Sequence, residues 1–271
     1  MNTSLLKKEL QHCYSSQAEH FKHTRKKQRP ELKHIEEYLQ ENTDTSKQIV
    51  VLELWCWAWR LSETLTNIYQ EQLIYIWTDV APWMIEESIH THKGDRIQNI
   101  KDIKQWLQRM VWDMLDILAN TPDSSVDVVI SIASLQHLMT KKERQIAWLH
   151  MYRILNYNWT ILSTNRSYSS RFLKKYRKQQ TYSLLQMFVP PRKWVWNDII
   201  IPRKDPQWKE NKQIRRRYYH IFTLYELEQL TRLSWFVIKV LSYVMQDGSL
   251  AISWRKNSRN TLLIAKKTIC R

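Results

Sequence analysis

Glycine is almost missing from this chain. Only 2 of the 271 residues are Gly, at Gly94 and Gly248. An ordinary chain holds about 7% Gly, which would be roughly 19 here. Tight turns with φ > 0 rely on glycine, so a mixed fold of this size has little to turn with. The same shortage excludes collagen-like and Gly/Ser-linker classes. Cysteine is also scarce. Cys13, Cys56 and Cys270 are odd in number and far apart, which excludes a disulfide scaffold and leads us to expect a reducing, cytoplasmic setting. No apolar run approaches the roughly 18 to 20 residues of a membrane span, so no membrane partner is expected. The start, MNTSLLKKEL, lacks the layout of a secretory leader. No Cys/His spacing suggests a metal site, and no Ser-His-Asp arrangement stands out.

Acidic residues are outnumbered. Asp and Glu total 26 against 42 Lys and Arg, for a net charge of +16. The excess is clustered at Lys22 to Arg29, Lys174 to Lys178 and Arg215 to Arg217. A polyanion, and nucleic acid in particular, is the partner this charge favours. Tryptophan is abundant, with 14 copies.

The periodicity predicts an α/β chain. Residues 4–43 read as two helices, the second starting at Pro30, a favoured first helical position. Residues 44–48 read as a linker. Ile49 to Leu54 is apolar except for Glu53, as in a buried parallel strand. Leu73 to Trp77, Arg109 to Trp112, Val126 to Ile132 and Thr160 to Thr164 read as further strands. Pro82 to His92 and Lys141 to Leu155 read as helices. Residues 166–222 are basic, aromatic and without clear period, and are read as an insertion on the substrate side. Thr223 and Glu226 predict a capping box for a helix to Leu233. Phe236 to Val244 and Thr261 to Ala265 would be late strands. The expected architecture is a doubly wound, mostly parallel, seven-stranded sheet. Residues 1–48 would form a helical cap and 49–271 the main domain.

The first strand runs into Trp55-Cys56-Trp57-Ala58-Trp59-Arg60. A strand-to-helix turn in such a sheet is where a nucleotide-like cofactor sits, and its backbone must approach the ligand closely. Three indoles would fill that space. With Gly for each Trp the segment reads VLELGCGAGRL. That resembles motif I of the class I S-adenosylmethionine-dependent methyltransferases. Trp77 and Trp83 in IYIWTDVAPWMIEES, Trp159 in RILNYNWTIL and Trp235 in RLSWFVI also fall where that family has glycine. Counting the 14 tryptophans as glycine gives a share of about 6%, near the usual one. The expectation is that one codon, UGA, means glycine in the source and was read as Trp. Arg29, Arg166 and Arg203 sit where the family often has Trp. The literal chain, with indoles at 55, 57 and 59, is expected to be inactive.

The chain further resembles the tRNA wobble-uridine carboxymethyl methyltransferases and their bacterial relatives. The segments that carry this are HCYSSQAEHFKHTRKKQRPEL, VDVVISIASLQHLMTKKERQIAWLHMYRIL, MFVPPRK and RRRYYHIFTLYELEQL. The resemblance implies S-adenosyl-L-methionine as cofactor. It implies cofactor contacts at Glu53, Trp55, Cys56, Trp57, Trp59, Asp79, Val80, Asp113, Met114, Ser131 and Ala133. Asp79 would accept the ribose hydroxyls and Asp113 the adenine amino group. The transferred methyl would face the mouth at Ser131 to Ser134. His137 lies in that mouth as a catalytic or positioning candidate. Arg217, Tyr218, Tyr219 and His220 suit a flipped base held by stacking and guanidinium contacts. A carboxylate acceptor is already ionised at neutral pH, with a reference pKa near 4. It needs no base, only alignment, and Arg217 or Arg60 would align it.

The partner this implies is tRNA. A small zinc-bearing activator subunit, used by eukaryotic members, is not carried over to this chain. A small-molecule or protein methyltransferase is the alternative. Taken literally, the sequence also fits a Trp-rich, basic single-strand nucleic-acid binder. A dinucleotide dehydrogenase is disfavoured, because its third fingerprint glycine falls on Arg60.

Overall fold

The computed structural model describes residues 3–15, 30–55, 61–81, 113–169, 172, 174–179, 197–204, 214–253 and 257–268. The expected helix at Pro82 to His92 and strand at Arg109 to Trp112 lie outside these residues, as do Arg29, Cys56, Trp57, Trp59, Arg60 and Trp83.

Two helices open the chain, α1 (Thr3–Ser15) and α2 (Pro30–Asn42). Then follow β1 (Ile49–Glu53), α3 (Ser62–Tyr69), β2 (Leu73–Trp77), α4 (Met114–Asn120) and β3 (Val126–Ile132). Next come α5 (Lys141–Ile154), β4 (Leu155–Arg166), the strands β5 (Asp198–Lys204) and β6 (Ile214–His220), and α6 (Leu224–Leu233). The strands β7 (Phe236–Met245), β8 (Leu250–Ala251) and β9 (Ser258–Lys267) complete the described elements. Seven strands form one sheet in the order β2-β1-β3-β4-β9-β7-β8. The first four are parallel, and β9, β7 and β8 run antiparallel. The expected doubly wound sheet is therefore present, with an antiparallel edge.

Every residue of β3 is buried, including Asp127. Its carboxylate is accommodated by two bonds, from the Val50 N–H at 2.8 Å and from Asn156 Nδ2 at 2.8 Å. Alternation along the strands sends Val129 and Ile161 into one core and Val128, Ile130 and Leu162 into the other. The N-terminal helices divide between these cores. Leu10 and Tyr14 of α1 join the first, and Leu32, Ile35 and Leu39 of α2 join the second. Helix α5 starts with a complete Thr140/Glu143 capping box, a signature not read from the sequence. At α6 only half of the expected box forms. Thr223 accepts from the Glu226 N–H, while the Glu226 carboxylate meets His220 and Arg144 instead. Within 166–222, β5 and β6 pair as an antiparallel hairpin, so the insertion is more ordered than its pattern suggested.

The turns show where glycine is wanted. Gly248 has φ 92° in the β7–β8 turn, and a Cβ there would sit 3.1 Å from Pro30 Cβ. Two tryptophans are also left-handed, Trp55 at φ 55° and Trp235 at φ 61°. Trp235 follows the C-cap of α6, the position where glycine is usual. Trp77 and Trp159 differ from the expectation. Both lie within strands at ordinary φ, and the irregular start of β4 before Trp159 places its positive φ on Asn158, which tolerates it. Trp148 is fully buried in α5 and donates its indole N–H to Thr231 Oγ1 at 3.3 Å. That is the setting of a genuine core tryptophan, not of a turn glycine.

Candidate functional site

The sheet reverses its winding between β1 and β3, and ligands of such sheets bind at that crevice, beyond the strands' carboxyl ends. Glu53 closes β1. It is fully buried and accepts a hydrogen bond from the Tyr75 hydroxyl. Its carbonyl receives the Thr78 N–H at 3.0 Å, and Thr78 Oγ1 lies 3.3 Å from the Trp55 N–H. These bonds fix the backbone where β1 and β2 end. Asp79 is buried there, with Oδ1 accepting from the Ala81 N–H at 2.8 Å. Val80 is half-buried beside it.

Trp55 fits this place poorly. Its backbone is left-handed, which costs a non-glycine residue about 1–2 kcal/mol. Its side chain is 4% exposed, yet the indole N–H has no hydrogen-bond partner among the described residues. A buried Trp N–H ordinarily finds one. The indole instead leans on the His137 ring, with centroids 5.8 Å apart. It therefore fills the space between the end of β1 and the segment after β3.

Ser131 and Ser134 bond each other at 2.6 Å. Ala133 has φ 57° and its N–H reaches the Thr164 carbonyl, so the mouth of β3 is held in a strained, bonded turn. Asp113 caps α4, accepting from the Leu115 N–H, and its other oxygen pairs with Lys7 at 2.8 Å. Lys7 also meets Glu143 at 3.2 Å. An adenine contact at Asp113 would have to be shared with these partners. Met114 is buried in the core.

His137 ends a 3₁₀ turn and is 2% exposed. Its Nδ1 lies 2.9 Å from the Tyr218 carbonyl and its Nε2 3.0 Å from the Tyr14 hydroxyl. Burial pulls its pKa down to about 3, against the carbonyl bond, which raises it, and with Arg217, which lowers it further. The imidazole is neutral at physiological pH, and both nitrogens are engaged.

The run Arg217-Tyr218-Tyr219-His220 is split by strand alternation. Arg217 and Tyr219 face His137. Tyr219 stacks 4.7 Å from its ring, and the guanidinium lies 5.4 Å from the Tyr219 centroid. Tyr218 and His220 face the other way. There Asp198 receives Tyr218 at 2.5 Å and His220 Nδ1 at 2.7 Å, while His220 Nε2 meets Glu226 at 2.7 Å. His220 is thus a brace between β5, β6 and α6. Burial first, then Asp198, pushes the Tyr218 phenol upward.

Arg217 is the chemically conspicuous member. It is 7% exposed, Nε has no hydrogen-bond partner among the described residues, and no carboxylate pairs with it there. Buried arginines stay charged and are ordinarily paired. Two contributors were not read from the sequence, Tyr14 and Lys7. Both sit on α1, where the spacing Leu6, Leu10, Cys13, Tyr14 signals only a buried helical stripe.

No protein-family model and no curated protein matches the sequence. Solved structures do match. A SAM-dependent methyltransferase from Methanosarcina mazei aligns with a TM-score of 0.57 at 18% identity, over 86% of this chain and 97% of its own. An S-adenosylmethionine-dependent methyltransferase from Clostridium acetobutylicum gives 0.54 at 11%, over 88% and 90%. The 1,6-didemethyltoxoflavin-N1-methyltransferase of Burkholderia thailandensis, with 1,6-didemethyltoxoflavin and S-adenosylhomocysteine bound, gives 0.53 at 10%, over 99% and 91%. The fold of this chain is that of these methyltransferases. Fold alone does not fix an acceptor.

Proposed function

We propose that this chain encodes an S-adenosylmethionine-dependent methyltransferase acting on a carboxymethyl group of a modified uridine in tRNA. The observation that carries the acceptor is Arg217. It is a buried guanidinium with no carboxylate partner among the described residues, flanked by Tyr219 and His137, at the crevice where sheets of this kind bind ligands. A carboxylate placed on Arg217 would complete its hydrogen bonding and satisfy its charge. The Tyr219 ring offers a face for a base. The hairpin register sets Arg203 opposite Arg215 and Pro202 opposite Arg216. That basic hairpin and the net charge of +16 suit a phosphate backbone. Small-molecule methylation is the second reading, favoured by the likeness in fold to the 1,6-didemethyltoxoflavin-N1-methyltransferase.

The cofactor would supply an electrophilic methyl group. This chain's residues would do the rest by holding groups in place. Glu53 and Asp79 end β1 and β2 where an amine and ribose hydroxyls can be met. Neutral His137 and Arg217 would wall the acceptor side, and no base is required of either. The reading includes the codon. We take residues 55 and 235 to be glycine in the source, supported by their left-handed backbones and by an indole N–H of Trp55 that has no partner among the described residues.

The test is calorimetric titration of S-adenosylmethionine into this chain and into a version carrying Trp55→Gly, Trp57→Gly and Trp59→Gly. The glycine version should bind and this chain should not. The glycine version should then transfer labelled methyl to an anticodon stem-loop bearing 5-carboxymethyluridine, with RNA affinity falling steeply as salt rises. Binding to neither protein removes the cofactor reading. Binding without RNA methylation leaves the small-molecule reading.

A further inference from the structure

We propose that Tyr14 is a positioning residue of the acceptor pocket, whose one hydroxyl sets the tautomer of His137 and seats the guanidinium of Arg217. This rests on reading that cluster as the acceptor pocket. The argument is proton accounting. The Tyr218 carbonyl can only accept, so His137 Nδ1, 2.9 Å away, carries the proton. The ring is neutral, so Nε2 bears the lone pair, and its partner 3.0 Å away must donate. That partner is the Tyr14 hydroxyl, and its only proton is thereby committed.

The Tyr14 oxygen is left as an acceptor. Arg217 hydrogen-bonds it, and a guanidinium can only donate. Burial first, then Tyr219, pushes the Tyr14 phenol well up, so it holds its proton throughout the working range. Tyr14 itself is 1% exposed and meets the His137 ring edge-on at 5.7 Å. One hydroxyl therefore links two elements, the turn after β3 through His137 and β6 through Arg217. Helix α1 is pinned at its other end by Lys7, which bridges to Asp113 and Glu143. The N-terminal helix thereby becomes part of the pocket wall instead of an appendage.

Tyr14→Phe keeps the ring and removes only the hydroxyl. Long-range proton–nitrogen correlation spectra of the full chain at neutral pH should show His137 as the Nδ1–H tautomer with a hydrogen-bonded Nε2. In the Phe variant the Nε2 resonance should move toward that of an unbonded imidazole nitrogen. In the background with glycine at 55, 57 and 59, Tyr14→Phe should raise the KM for the carboxymethyluridine stem-loop about tenfold or more, the loss of one hydrogen bond to a charged group. Its affinity for S-adenosylmethionine should not change. An Nε2–H tautomer or a protonated ring in the unaltered chain overturns the proposal, even if the variant fails to fold. So does an unchanged Nε2 resonance together with an unchanged KM. A parallel loss of cofactor affinity reduces Tyr14 to packing and also overturns it. Failure of the methyltransferase reading would look different: the glycine background would bind no cofactor, while the His137 signature would still decide the role of Tyr14.

Discussion

Replacing Trp55 with glycine should cost the fold far less than deleting a buried tryptophan usually does. Truncating a well-seated Trp costs about 3–5 kcal/mol. At position 55 two gains oppose that loss. Glycine relieves a left-handed backbone at φ 55°, about 1–2 kcal/mol. Removing a buried indole N–H that has no partner among the described residues recovers about 1–3 kcal/mol. The sum leaves Trp55→Gly within about 2 kcal/mol of the unaltered chain. Trp148→Gly is the internal control. Its indole is fully buried and hydrogen-bonded to Thr231 within α5. Cavity formation and the glycine penalty in a helix add there, for about 4–6 kcal/mol, a large share of an ordinary domain's stability. Urea unfolding of both variants measures the contrast. Repeating it with S-adenosylmethionine adds the functional half. At a hundred times Kd, the variant with glycine at 55, 57 and 59 should gain about 2.7 kcal/mol, and the unaltered chain nothing. If Trp55→Gly costs as much as Trp148→Gly, Trp55 is properly seated and the reasoning about position 55 is wrong.

Acid should weaken the fold through His137. Its folded pKa of about 3 lies below the ordinary 6.5, so the unfolded chain takes up the proton first. The stabilisation is complete above about pH 6.5 and is lost as pH falls toward 3, at about 1.4 kcal/mol per pH unit; urea midpoints of the chain and of His137→Gln at neutral and mildly acidic pH should diverge accordingly, and parallel curves would refute the assignment. Arg217→Met should stabilise the chain by about 1–3 kcal/mol, because it removes a buried charge that lacks a carboxylate partner among the described residues. In the glycine background it should also abolish acceptor binding, and a lower melting temperature would show that the charge is compensated in the resting protein. Thr140→Ala breaks a complete capping box and should lower stability by about 1 kcal/mol, with no effect on cofactor affinity by calorimetry.

Much of the fold was legible because burial and period agree. The β-branched run Val126 to Ile132 is a strand buried at every position. Ile49 to Glu53 and Leu73 to Trp77 lie where continuous apolar character placed them. The antiparallel edge was not legible, since apolar runs carry no direction. The β5–β6 hairpin was missed for a related reason. Its inward face mixes Ile199 and Ile201 with Arg217 and Tyr219, so no alternation of apolar and polar residues marks it. The site was half legible. The positions of Glu53, Asp79 and His137 follow from strand ends. Tyr14 could not be read, because its partner lies 123 positions away and its own helix shows only a core stripe. The Arg217 to His220 run looked like one patch, but a strand's period of two sends alternate members to opposite faces. That is why Arg217 and Tyr219 meet His137 while His220 braces Asp198 and Glu226.

If the proposed recoding holds, the backbone separates the tryptophans in a way that composition cannot. Composition treats all 14 tryptophans alike, and a single reassigned codon would convert every one that uses it. Position 235 follows a helix C-cap with φ 61°, and its side chain is 61% exposed. Its one ring contact among the described residues, edge-on to Tyr152 at 5.8 Å, offsets about 0.5–1.5 kcal/mol of that strain. Position 55 adds to the same strain an N–H with no partner among the described residues. Position 148 has helical backbone, full burial and a hydrogen-bonded indole, and glycine there would empty the core between α5 and α6. These demands are incompatible with one residue type at all three positions. The gene should therefore use one codon at 55 and 235 and a different one, the ordinary UGG, at 148. Sequencing the source DNA decides it. The same codon at all three would mean either that Trp55 and Trp235 are real and strained, or that α5 packs around a void, and the stability contrast between Trp55→Gly and Trp148→Gly tells these apart.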